Sequence, residues 1–443
     1  MQSLADIFKI KELKKRIFFV LGALAVYRLG AAIPIPGINS AALQSLFQQQ
    51  AGSILGFLDI FSGGALGKFS IFSLGVMPYI NASIIMSLVQ GAHVLPVLDR
   101  LQKEGESGRR KVVQYTRIFT LILSAFQSLG LTLALTHMNA SGNGPSIVID
   151  PSGMFYFITV LTLTAGTIFV MWLGEQMTES GIGNGISLII FAGIIDRMPS
   201  GVMQLIQLIQ IDEISILSGI GIVIGLIVIV GLVVWLETAQ RKIPVQYAQR
   251  MVGRRMTGGA ATFLPLKVDQ SGVIAVIFAI SLLSVPYTIG SFNPSAAWAQ
   301  KMMSFMNHTS FMYQLIYVAL IIFFCYFYNS VSINPKDLAD NMKKSGGFIP
   351  GVRPGEPTAK YIERVLNRIT LAGALAVSAI AVLPDYLRAK WNIPFYFGGT
   401  SLLIVVGVAL DTIAQTEGHL LLRRYEGFSK NSKIKGRWFN VGQ

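Results

Sequence analysis

The strongest constraint on this chain is the recurrence of apolar stretches long enough to cross a bilayer. Ten occur: Ile17–Ile33, Ile71–Val89, Ile118–His137, Met154–Leu173, Ile186–Ile195 with its flanks, Ile214–Leu236, Gly272–Gly290, Tyr313–Val331, Ile369–Leu387 and Phe395–Thr412. About 20 apolar residues span the hydrocarbon core as a helix. Helices satisfy their own backbone polar groups there. Only 13% of the 443 residues are charged and 52% are hydrophobic, whereas soluble globular proteins carry roughly 25% charged residues. The expected fold class is an all-α polytopic membrane protein with ten transmembrane helices.

The net charge of +14 would suit nucleic acid if it were spread over a soluble surface. It is not. Lys and Arg number 5 in residues 1–16, 6 in 95–117, 0 in 174–185, 6 in 237–271, 7 in 333–368 and 6 in 413–443. The opposite set of connections holds only Lys68, Arg197, Lys301, Arg388 and Lys390. Such a bias predicts cytoplasmic alternate loops and both termini in the cytoplasm. Gly174–Gly185 lacks basic residues and is outvoted. The basic start Met1–Arg16 followed by an apolar run has the look of a signal peptide. Arg28 within the run and the length of the run argue for a retained first helix, ended by Pro34–Gly37.

Gly56–Leu88 is too long for one simple span. Gly63, Gly64 and Gly67, with Lys68, split it into a short amphipathic piece and a segment starting near Ser70. Broken backbone at membrane depth is tolerated where protein buries it or where it lines a cavity, and a broken helix in a bundle marks a pathway. The expectation is a movable stopper at Phe57–Phe69 and a channel wall at Ile71–Val89; the alternative is a re-entrant kink with no transport role.

Ten spans divide into five and five, residues 1–210 and 211–443. An odd number per half makes the halves inverted repeats, an architecture common to membrane pathways.

Little in the chain suggests chemistry. There is no Walker loop, CxxC or HExxH, and the four histidines are scattered, so no cofactor, metal site or catalytic set is expected. Gly181–Gly185 (GIGNG) follows a helix rather than a strand and reads as a tight turn, not a phosphate cradle. Gly221–Gly225 fits close helix packing as well as dimerisation. The single Cys325 lies in an apolar run and has no partner for an intrachain disulfide. Arg28 and Asp411 sit toward span ends and read as structural or interfacial. A pore through such spans is apolar, which disfavours an ion channel, whose filter needs polar ligands or charged rings.

Two cytoplasmic loops are larger than topology requires. Residues 334–368 carry Pro350-Gly-Val-Arg-Pro-Gly355, which presents Arg353 at a stiff tip. Residues 237–272 carry Arg241, Lys242, Arg250, Arg254 and Arg255. Arg suits bidentate contact with phosphate or carboxylate, so a docking partner is expected; merely solvated loops are the alternative.

The stretches RLGAAIPIPGI, FSGGALGKFSIFSLGVMPYINASII, KEGESGRRK, WLGEQMTESGIGNGISLIIF, TFLPLKV, KKSGGFIPGVRPGEPTAKYI and PFYFGGTSLLIVVGVALDT run in order along nearly the whole chain. In these the sequence resembles the SecY family of protein-conducting channel subunits. The resemblance implies ten helices in two inverted pseudo-symmetric halves, a short plug half-helix and a lateral gate facing lipid. It places the plug at Phe57–Phe69, with Phe57, Ile60, Phe61, Gly63, Gly64 and Leu66. The pore ring falls on Val76, Ile80, Ile186, Ile190, Ile277 and Ile404, Val76 standing where isoleucine is common. Val76/Ile80 and Ile186/Ile190 are i,i+4 pairs, each on one helix face. Asn81 and Gln127 fall at the gate, and Arg254, Arg255 and Arg353 on the face that docks SecA or the ribosome, including rRNA phosphates. SecE and SecG are the implied membrane partners, signal sequences and unfolded polypeptides the substrates, with membrane lipids around them. The implied location is the bacterial cytoplasmic membrane. A secondary solute transporter is the alternative function; it would need an ionisable or polar site within the spans. A membrane-embedded hydrolase would need a catalytic set.

Overall fold

In the computed structural model the described residues are 10–40, 42–43, 59, 61–91, 96–141, 147–211, 215–247, 250–252, 255–257, 262–292, 296–305, 310–391 and 399–431. Among them the chain forms α1 (Lys11–Ala32), α2 (Met77–Gly91), α3 (Pro96–Lys103), α4 (Glu106–Ser141), α5 (Gly153–Ser180), α6 (Gly185–Asp196), α7 (Met198–Gln210) and α8 (Ile216–Thr238). After strands β1 (Gln240–Tyr247), β2 (Arg250–Val252), β3 (Arg255–Thr257) and β4 (Thr262–Lys267) come α9 (Val273–Ser291), α10 (Ala297–Phe305) and α11 (Phe311–Ser332). Then follow α12 (Pro335–Lys344), β5 (Gly347–Phe348), α13 (Glu356–Trp391) and α14 (Gly399–Asn431).

Eight spans, formed by α4, α5, α6 with α7, α8, α9, α11, α13 and α14, are each long and apolar enough to cross a membrane. With α1 and α2 these make ten, the polytopic all-α architecture expected. α2 covers 15 residues; the turns at 62–76 carry the chain to its start.

The element bounds differ from the apolar stretches in a regular way. α4 begins at Glu106 rather than Ile118, α13 at Glu356 rather than Ile369, and α14 runs on to Asn431 rather than Thr412. Hydropathy marks only the part of a helix that meets lipid. The added turns of α4 and α13 are water-facing and carry i,i+4 ion pairs, Arg110–Glu106 at 2.9 Å and Lys360–Glu356 at 3.0 Å. The start of the last stretch, 395–398, lies outside the described residues. The stretch Ile71–Val89 loses its first residues to turns, and α2 starts at Met77. The Ile186 stretch is broken at Arg197, with a proline in the first turn of α7.

Local signals explain the turn between α5 and α6. In Gly181–Gly185 the Asn184 side chain caps α6, accepting from Ile186 N at 3.1 Å and Ser187 N at 3.4 Å. Gly183 takes φ +86°, a region that favours glycine. Its N–H donates to Gln415 Oε1 of α14 at 3.1 Å. The motif is a helix-to-helix turn that also ties α6 to α14.

The bundle packs α4 on α2 and α5, α9 on α2, α4 and α11, and α14 on α6, α8 and α13. One large apolar cluster fills its centre, and a second, with Ile35, Phe69, Leu135, Val148 and Leu163, lies to one side. The two basic loops are not separate projections. β1 pairs antiparallel with β4 and, at Gln246–Tyr247, with β5 of the other loop, giving the order β4-β1-β5. Ile243, Val245, Leu266, Met342, Ile349, Ile362 and Leu366 form a third cluster beneath this sheet. α12 is amphipathic and capped by the Asn334 side chain, with Asp337 in its first turn and Lys343 and Lys344 in its last.

Candidate functional site

The centre of the bundle is built from side chains of elements far apart in sequence. Val76, in the turn before α2, and Ile80 of α2 are 2% and 5% exposed. Ile80 N donates to Val76 O at 3.1 Å, so the i,i+4 relation survives although Val76 precedes the helix. Ile190 of α6, Ile277 of α9 and Ile404 of α14 are buried in the same cluster, and Ile186 packs against it, half-buried. All six aliphatic positions singled out in the sequence are thereby gathered in one apolar cluster. Phe61 and Phe72 join it from the segment that precedes α2.

That segment, the described residues 59 and 61–76, is a strap of turns with hydrogen bonds among its own polar groups, although Ser70 Oγ is buried without one. Among its described residues, only 59 and 61 are helical; Phe57 and Ile60 lie outside the described residues. Gly63 and Gly64 take φ +65° and +81°. Space adds a second reason at Gly63, where a Cβ would meet Gly193 Cα of α6 at 2.8 Å; one on Gly64 would sit tightly against Arg197 Nη2 at 3.2 Å. Leu66 is buried. The strap returns along the end of α1, with Ile35 N donating to Phe69 O at 3.0 Å and Ile71 N to Ile33 O at 3.1 Å.

Charge holds the strap at two points. Arg197, between α6 and α7, forms an ion pair with Asp59, whose side chain is 4% exposed. Asp59 Oδ1 also accepts from Gly67 N at 2.6 Å. Arg28 of α1 donates to Gly63 O at 3.0 Å and to Ala192 O, and pairs with Asp196 at 3.1 Å. Next to it the Tyr27 hydroxyl donates to Ser62 O at 2.9 Å. Arg28, read from sequence as structural or interfacial, is a strap anchor. In the sequence Arg197 registers only as a charge on the sparse side of the membrane.

The seam between α9 and its neighbours is polar in places. Asn81 of α2 and Gln127 of α4 are buried. Ser281 Oγ of α9 lies 3.7 Å from Met77 Sδ of α2, and the Phe126 and Phe292 rings sit 4.6 Å apart between α4 and the end of α9. A run of buried hydroxyls, Thr116, Thr120, Ser124, Ser128 and Thr132, follows one face of α4. Each bonds back to its own helix, as Thr120 does to Thr116 O at 2.7 Å. Their regular spacing of four residues is the sequence signal that finds them.

On the loop face Arg353 is exposed at a turn flanked by Gly351 (φ +82°) and Gly355 (φ +103°). Thr358 Oγ1 donates to Arg353 O at 2.8 Å and fixes that turn. Arg255 begins β3, opposite Val252; Arg254 lies outside the described residues. Where this domain meets α9, burial raises the Asp269 carboxyl above its ordinary range, against hydrogen bonds from Ser271 Oγ at 2.9 Å and Gly272 N at 2.8 Å. No group of three or more metal-ligating side chains occurs among the described residues.

Fold and site together define a ten-span membrane protein whose apolar centre adjoins a glycine-rich strap, with a basic, sheet-built domain formed by its two long loops. The SecY family model matches residues 70–413. The chain is 46% identical to protein translocase subunit SecY of Escherichia coli (strain K12) over 428 residues, 96% of each chain. It is also 46% identical to that of Aquifex aeolicus (strain VF5), covering 96% of this chain and 98% of the relative. Among solved structures, a protein-conducting channel superposes with a TM-score of 0.68 at 18% identity, covering 98% of this chain and 100% of the other. Sec61 in the canine ribosome-channel complex from the endoplasmic reticulum gives 0.65 at 17% identity, again over 98% and 100%. The chain belongs to the SecY family. It is a membrane-embedded, protein-conducting channel subunit and not an enzyme, and a solute transporter is not favoured.

Proposed function

We propose that unfolded secretory polypeptides cross the bacterial cytoplasmic membrane through the junction lined by Val76, Ile80, Ile186, Ile190, Ile277 and Ile404. Residues 57–69 are its plug, and the halves 1–210 and 211–443 part to open it. The observation that carries this reading is the convergence of those six side chains, with Phe61 of the strap, on one apolar cluster. A narrow collar of branched alkyl groups resists wetting and so resists ion leak. It also offers a passing chain no polar group to hold it.

Membrane-protein segments leave sideways between α2 and α9, with Asn81 and Gln127 at that gate. An apolar segment gains about 0.8 kcal/mol per CH₂ on reaching lipid. Arg254, Arg255 and Arg353 dock SecA or the ribosome, whose rRNA phosphates attract a basic surface. The exposed Arg353 tip and the shared sheet support this. SecE and SecG complete the heterotrimer, and both termini are cytoplasmic, in line with the Lys and Arg bias.

The test is a cysteine at Ile80 in a Cys325→Ser background, with a secretory precursor carrying a matching cysteine stalled during SecA-driven transport. A disulfide that depends on SecA and ATP is expected. A demonstrably stalled precursor that reacts neither there nor at the other ring positions refutes the assignment.

A further inference from the structure

The strap is held to the bundle by a charge arrangement that sealing a pore does not require. An apolar plug over an apolar collar needs only shape and burial. Here Asp59, nearly fully buried, is paired with Arg197, and Arg28 reaches across to Gly63 O while pairing with Asp196. Arg197 and Asp196 are consecutive, at the junction of α6 and α7. At about 1.5 Å rise per residue, Arg197 lies ~10 Å beyond Ile190 along the chain of α6. The two arginines therefore grip the strap from α1 and from the helix that supplies Ile186 and Ile190.

The glycines make the grip close. A Cβ at Gly63 would strike the α6 backbone, and one at Gly64 would crowd the Arg197 guanidinium. Asp59 in turn organises the strap from within: its carboxylate receives Gly67 N, and its backbone oxygen receives Gly64 N at 2.8 Å and Ser62 Oγ at 3.1 Å. Displacing the strap must separate Asp59 from Arg197. In a displaced state the Asp59 carboxylate would reach water and Arg197 would lose the ion pair it makes here, while Asp196 is engaged by Arg28. If the strap moves between two arrangements, the ion pair belongs only to the one seen here and weights the balance toward it.

We propose that the Asp59–Arg197 ion pair, with Arg28 as second anchor, is a latch that sets how strongly apolar a polypeptide segment must be before the channel admits it. These are positioning residues: they act through the strap, not by touching the passing chain. The proposal rests on the reading of residues 57–69 as the plug.

The test uses the complete membrane complex in a Cys325→Ser background with Leu66→Cys as reporter. Asp59→Asn, Arg197→Gln, Arg197→Lys and the swap Asp59→Arg/Arg197→Asp are compared. One readout is the rate at which the reporter thiol reacts with a polar maleimide in the resting complex. The other is export of a precursor with a weakened signal sequence. Asp59→Asn and Arg197→Gln should each raise both by roughly tenfold, the shift a coupling of this kind produces. Arg197→Lys should raise them less, and the swap should return them toward the starting values. Unchanged labelling in both neutral variants, or a swap as open as they are, overturns the latch. Raised labelling with unchanged export overturns instead the plug reading, and the proposal with it. Should a neutral variant fail to accumulate, Asp59→Glu, which keeps the charge and alters the reach, gives the same two readouts and is expected between parent and neutral variant; parent-like values for it alongside an open Arg197→Lys would refute the pair.

Discussion

If the six aliphatic side chains seal the resting channel, shortening one should make the membrane leak. Ile190→Ala is the clearest case, since Ile190 is 1% exposed within the large apolar cluster. Truncating a buried isoleucine to alanine costs about 2–5 kcal/mol. Only the part of that cost felt in the closed arrangement and not in the open one moves the gating equilibrium. If a third of the lower bound is so partitioned, about 0.7 kcal/mol, the open population rises ~3-fold; if all of it is, it rises ~30-fold, at about 1.4 kcal/mol per tenfold. Reconstituting the whole complex in vesicles and following dissipation of an imposed chloride gradient measures this. The control is Leu163→Ala, fully buried in the lateral cluster rather than the central one, with the same kind of packing loss. Ile190→Ala and Ile404→Ala should leak several-fold more than the control. Equal leak in ring and control variants would refute the collar.

Three further outcomes follow from the geometry. Met77→Cys with Ser281→Cys, at positions whose side chains touch across α2 and α9, should form a disulfide in the Cys325→Ser background that blocks export until it is reduced; export undiminished by the oxidised bond would sink the lateral gate. Arg353→Glu should slow SecA-driven export by about tenfold, since reversing an exposed docking charge acts chiefly on association, while assembly with SecE, followed by co-purification, stays intact. Gly166→Ala should lower the unfolding midpoint of the complex, because the added Cβ would run into the Ile71 carbonyl oxygen; overpacking of this kind costs about 1–3 kcal/mol, and an unchanged midpoint would show that α5 and the strap yield freely.

The ten spans were legible because lipid imposes one rule on every apolar stretch. What escaped lay where that rule is silent. The water-facing turns of α4 and α13 are exposed and charged, with one i,i+4 ion pair on each, and hydropathy does not register them. The β4-β1-β5 sheet joins Gln246 to Phe348 across the whole span between the two loops, and neither strand announces a partner so distant. The six aliphatic positions look like ordinary core in isolation, since buried Ile and Val are mostly that; the family resemblance singled them out. Arg197 is a different failure. Its charge was visible, yet nothing local ties it to Asp59, 138 residues away, so a topology count absorbed it.

On the proposed reading, the two devices around the strap would oppose opening in different ways. The collar's resistance is graded: branched side chains can rotate aside, and an incoming apolar chain restores much of the burial it disrupts. A charge pair is closer to a fixed step. Removing one partner of a buried pair costs about 3–5 kcal/mol. Arg197 is about a quarter exposed, so water softens the step here. Burying one leucine side chain contributes about 1.5–3 kcal/mol. The step is therefore comparable to one or two leucines of a signal segment. A collar alone would admit any chain pushed against it. A collar behind a latch of that size would distinguish segments by a few methylenes, at about 0.8 kcal/mol for each one buried.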